Sequence, residues 1–181
     1  VFVTTSSRRR ALAALLALGG CASDPTADYL FGIGDPVRGA ALYAPRNLGD
    51  TSRWNGRPAE AAVAVEQLEF LANELATSPR YAPEISPSVL QQLQMARAEM
   101  RGFLGIADTA APPLVIEAMR RTAEALRRGS RAAAEAALSG QAFTAGPTVT
   151  LARLGAMPRL PRTSEAAGAV AAELDRLDRR R

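Results

Sequence analysis

The chain has 181 residues, with 22 arginines and no lysine or histidine against 18 Asp and Glu, for a net charge of +4. Without histidine or lysine, and with one cysteine, it excludes imidazole-held metals, Ser-His-Asp and Cys-His catalysis, Schiff-base lysines and internal disulfides. Nor is the charge a nucleic-acid footprint: setting aside Arg8, Arg9 and Arg10 leaves 19 arginines against 18 acids, and setting aside Arg179, Arg180 and Arg181 as well leaves 16. No D-x-[DN]-x-[DN]-G calcium run is present, and no cofactor or metal is expected.

The first element is a leader. Arg8-Arg9-Arg10 precedes the apolar run Ala11 to Leu18, followed by Gly19, Gly20 and Cys21. Cationic residues, a short apolar run and a small-residue site, in that order, make a secretory signal. Eight apolar residues fall far short of the ~20 needed to span a bilayer. Leu18-Gly19-Gly20-Cys21 resembles the lipobox of bacterial lipoproteins. That resemblance implies a diacylglyceryl group on the Cys21 thiol and cleavage by a type II signal peptidase between Gly20 and Cys21. It also implies stable membrane attachment, because two or three acyl chains hold where one holds only marginally. Arg8 and Arg9 resemble a twin-arginine export signal. The general secretory route stays open, since every basic residue here is arginine. In enterobacterial lipoproteins an Asp after the cysteine favours inner-membrane retention. Ala22 stands there in this chain, so under that sorting rule the resemblance implies the outer membrane over the inner, with the protein facing the periplasm.

Residues 21–57 follow as a lipidated N-terminus and an extended segment rich in Gly and Pro, ahead of a helical domain at 58–181. A plain tether would be poor in aromatics, yet this one carries Tyr29, Phe31, Tyr43 and Trp54. Asp35-Pro36 reads as a cap and first-turn proline, predicting one or two helical turns to Tyr43. Tyr43 and Trp54, with Leu42 and Leu48, either clamp onto the helical domain or stay exposed as a partner site.

Four main helices are predicted. Pro58 to Thr77 is the clearest, with Ala61, Ala64, Val65, Leu68, Leu71, Ala72 and Leu75 on one face and Glu66 and Asn73 opposite. Val63 and Phe70 form a second apolar line, which marks a helix with neighbours on two sides. The second helix runs from Ser86-Pro87 to about Leu104, with Val89, Leu93, Ala96, Met100 and Phe103 inward. The third runs from about Pro112 to Arg128, with a solvated face of Glu117–Arg121 and Glu124–Arg128 pairs. The fourth starts at Thr163 or Ser164 and turns Ala166, Val170, Leu174 and Leu177 inward. Short accessory helices are expected from Ser130 to Leu138 and from Pro147 to Leu154. No stretch alternates long enough for a strand, so the fold class is an all-α bundle.

For function, the anchor together with the poverty of catalytic residues points to a non-catalytic binding or scaffold module. Its partners would be the membrane, through lipid on Cys21, and an unidentified envelope protein or cell-wall component. Size, anchor and helix content are similar to those of pilotins, lipoproteins that escort outer-membrane subunits by gripping a helix. The rival is a cell-wall enzyme built on carboxylates, for which Glu66 and Glu69, or Glu69 with Asn73, are the nearest pairs. Whether any acid is buried in a cleft discriminates the two.

Overall fold

A computed structural model describes residues 34–180. Among these the protein is all-α, with seven helices: α1 (Pro36–Leu48), α2 (Pro58–Thr77), α3 (Pro87–Leu104), α4 (Pro112–Arg127), α5 (Arg131–Ala137), α6 (Pro147–Leu154) and α7 (Pro161–Asp178). A single 3-10 turn, Thr51–Trp54, joins α1 to α2. Six of the seven helices begin at a proline. The ring presets a helical φ, and the N–H it lacks would be unpaired in the first turn anyway.

α2 is the axis. It packs against α1, α3 and α4; α3 and α1 both pack on α7, and α4 carries α5. Buried residues run almost all the way round α2, including Ala61, Val65, Leu68, Leu71 and Leu75 on the expected face. Phe70 is buried and Val63 packs against the same core, so the second apolar line is covered too. Glu66, placed opposite the core by periodicity, is buried instead, while Asn73 is half-buried. A helix enclosed on several sides has no solvated face left to give an acid, and the charge is met by arginine from a neighbour.

The described part of the segment expected to be extended, 34–57, is mostly helix. The first-turn signal at Asp35-Pro36 propagates to Leu48, through Pro45, giving 13 helical residues rather than one or two turns. Asp35 caps it, its carboxylate accepting from the Val37 N–H at 3.0 Å. Ala40, Ala41, Ala44, Leu48 and Trp54 join the core that α2 and α7 share, so the described part of 21–57 and the helical domain form one body. α7 likewise begins earlier than expected, at Pro161.

Loops are fixed as firmly as helices. Gly105 ends α3 at φ +74, and a Cβ there would lie 2.3 Å from the Ala145 Cβ, so only glycine fits. Its carbonyl accepts from Ala145 N–H at 3.2 Å, and Ala107 N–H donates to Ala142 O at 2.8 Å, tying the α3–α4 loop to the α5–α6 loop. Glu117–Arg121 and Glu124–Arg128 form on the exposed face of α4, each at 3.6 Å.

Candidate functional site

The anchor residues Leu18, Gly19, Gly20 and Cys21, and the export residues Arg8 and Arg9, lie outside the described residues. The other two sequence-derived site residues are separated in environment. Trp54 is buried, and its indole N–H donates to Asn47 O at 2.7 Å. The Arg53 and Arg57 guanidiniums lie 4.8 and 5.1 Å from its ring centroid, the geometry of cation–π contact. Tyr43 instead stands partly exposed on α1, beside Leu42, whose side chain is 73% exposed.

The acids of α2 are brought inside, and each meets arginine. Glu69 and Arg101 are both 2% exposed, with Arg101 Nε and Nη2 donating to the two carboxylate oxygens at 2.6 and 2.7 Å. The remaining nitrogen, Nη1, donates to Ala107 O, Asp108 O and Ala110 O at 3.1, 2.9 and 2.9 Å. One guanidinium thus joins α2, α3 and the loop leading to α4. Bidentate geometry of this kind is what arginine offers and lysine does not. Burial holds the nearby Arg97 below its usual range, while Glu69 opposes that shift. Glu66 accepts from Arg120 Nε and Nη2 of α4, both at 3.2 Å. Glu66 and Glu69 are therefore bound to different arginines, and Asn73 donates to Glu74 at 3.1 Å. Nothing in the spacing of Arg101 or Arg120 announced these pairs, because each partner lies on another helix.

A second set of carboxylates sits at helix starts. Glu99 of α3 accepts from Thr163 N–H and Oγ1 at 2.9 and 3.0 Å, and from Arg162 N–H at 3.3 Å, closing the first turn of α7. Glu173 of α7 accepts from Ser86 N–H and Oγ, both at 2.7 Å, closing the start of α3. Arg176, held to both Glu173 oxygens, lowers that carboxyl to about 2; burial opposes the shift and Ser86 adds to it. Asp35 serves α1 in the same way and also accepts from Tyr81 Oη and from Arg80 at 2.8 Å. Among the described residues no group of three or more acids is placed to hold a metal ion.

An open groove of about 410 Å³ runs between α1 and the later part of α7. Gly39, Leu42, Ala171 and Leu174 give it apolar lining, and Arg38 with Asp175 and Asp178 gives it charge. Arg38 and Asp178 are paired across it. Periodicity placed Leu174 inward and could not show that α1 would leave Leu42 beside it. Comparison with protein-family models, with curated proteins and with solved structures finds no match to the chain.

Proposed function

We propose that the chain is a lipid-anchored helical module of the bacterial cell envelope, facing the periplasm and attached more readily to the outer than to the inner membrane. It binds an envelope protein or cell-wall component and carries out no chemistry of its own. The observation that carries this reading is the series Arg8-Arg9-Arg10, apolar run, Leu18-Gly19-Gly20-Cys21. No described helix is long and apolar enough to cross a membrane, and in this reading attachment rests on acyl chains at Cys21.

The geometry of the acids favours binding over catalysis. A carboxylate-based glycosidase needs two acids about 5–10 Å apart across a cleft that admits substrate. Glu69 is enclosed with Arg101, Glu66 is engaged by Arg120, and Glu99 and Glu173 serve as helix caps. The α1–α7 groove, with exposed Leu42 on its wall, supports the narrower pilotin-like version in which a partner segment is gripped.

Mass spectrometry of the protein isolated from its membrane tests the anchor. The expected species begins at Cys21 and carries a diacylglyceryl group, and Cys21→Ala accumulates as uncleaved, unlabelled precursor. Wild-type protein without an acyl chain would overturn the reading. Changing Arg8 and Arg9 to Lys keeps the leader's charge, so a loss of export in that variant assigns the twin-arginine route, and unchanged export assigns the general one.

A further inference from the structure

We propose that the groove between α1 and α7 is the seat of the chain's own segment Tyr29-Leu30-Phe31-Gly32-Ile33, which lies outside the described residues. The groove begins where that segment ends: Gly34, the first described residue, is one of its lining residues. Four of the five residues joined to it there are large and apolar. Leu42, the most exposed large hydrophobic side chain described, lines the same groove beside Leu174 and Ala171. Covering it removes apolar surface from water, and that burial is the driving force.

Reach and direction agree. Leu42 is the seventh residue of α1, about 9 Å along its axis from Pro36, with Gly34 and Asp35 ahead of the helix. Five extended residues cover about 17 Å, enough to pass Leu42 when the segment doubles back beside the helix. Gly34 sits at φ +100, a conformation that glycine adopts freely and that L side chains resist, so a glycine stands at the point of reversal. A segment attached at the mouth of its own groove is present at millimolar effective concentration, ahead of a second copy or a foreign helix. Joined to the lipid reading, on which this one consequence rests, docking leaves only residues 22–28 as free leash, about 25 Å at full stretch. The bundle is then held close to the bilayer.

The test places the photo-crosslinking residue p-benzoylphenylalanine at position 42 of the full chain, expressed in cells, with cross-linked peptides mapped by mass spectrometry. An intramolecular link to residues 29–33, lost when Phe31→Asp is added, is the expected result. A link to a second copy or another protein in place of 29–33 overturns the proposal, and so does the absence of any link. Thermal melting adds a second arm: Leu42→Asp and Phe31→Asp should each lower the melting temperature, with the double variant no lower than the worse single. Additive shifts would overturn contact between the two sites. Cys21 acylation is read separately in the same spectra, so failure of the anchor and failure of the docking are told apart.

Discussion

The interior of the bundle and the ends of its helices use the same residue types to different effect. Inside, Glu69 and Arg101 are stripped of water and answer each other through paired hydrogen bonds. At the ends, Glu99, Glu173 and Asp35 accept from backbone N–H groups that a helix start leaves unpaired. An interior pair costs both partners their hydration, so its value shows mainly when one partner is removed. A cap keeps some contact with water and completes bonds that would otherwise be missing, so its value is smaller and open to pH. Glu99 and Glu173 also act reciprocally: α3 caps the start of α7, and α7 caps the start of α3. Two antiparallel helices are thereby fixed in register at both ends of their seam.

The largest expected effect is at Arg101. Arg101→Met keeps the stem and deletes the charge, leaving Glu69 buried without its partner and the Asp108 and Ala110 carbonyls without the Arg101 donor, while Ala107 O keeps the Ala110 N–H. A loss of about 3–5 kcal/mol in denaturant unfolding is expected. Adding Glu69→Leu removes the orphaned charge and should restore most of that loss. A double variant no better than the single would locate the loss in the anchorage of Ala107, Asp108 and Ala110 instead. The interior would then act as the helix ends do, by satisfying backbone groups.

The caps come next. Glu173→Gln keeps an oxygen for Ser86 but gives up the paired contact with Arg176, with an expected cost of about 1–2 kcal/mol near neutral pH. The sign of its pH dependence follows from its lowered carboxyl. The stabilisation is complete above the ordinary carboxylate range and is lost as pH falls from about 4.5 toward the folded value of about 2. Wild-type stability should therefore drop over that window, and the Gln variant should drop less. Equal acid limbs in the two proteins would remove Glu173 from the acid response.

How much of this was legible in the sequence differs between the same two regions. Proline at the first helical position placed α1, α2, α3, α4 and α6 at their observed starts. The same rule applied to Pro161 would have started α7 correctly; the Pro158–Pro161 pair read instead as an extended link. The inward residues of α7, Ala166, Val170, Leu174 and Leu177, are all buried, because a strong apolar stripe reports on packing directly. The length of α1 was hidden by Pro45 and Gly39, which weaken helix propensity but are overridden by burial of Ala40, Ala41 and Ala44. Glu66 was misplaced, and the burial of Glu69 went unread, for a deeper reason. Periodicity assigns an acid to water unless an arginine is known to face it, and Arg101 and Arg120 come from helices whose arrangement no local pattern records. The groove depends on the same missing information, since Leu42 and Leu174 lie more than a hundred residues apart.

The smallest expected effect belongs to the start of α1, where Tyr81 from the α2–α3 loop donates its hydroxyl to Asp35. Burial, and then the bond to this carboxylate, push the phenol up to about 12. A phenol whose folded value lies above its unfolded value of about 10 favours folding in its protonated state. That contribution is complete below pH 10 and is lost as pH rises toward 12. Tyr81→Phe keeps the buried ring and removes the proton, so near neutral pH it should cost only about 1 kcal/mol, the worth of one hydrogen bond. Asp35 still accepts from Val37 N–H and from Arg80 at 2.8 Å, so its carboxylate is not orphaned by the change. Urea unfolding at pH 8 and pH 11 separates the two contributions. Wild type should lose its advantage over the Phe variant at the higher pH, and an advantage unchanged at pH 11 would mean that the ring, not the hydroxyl, joins the loop to α1.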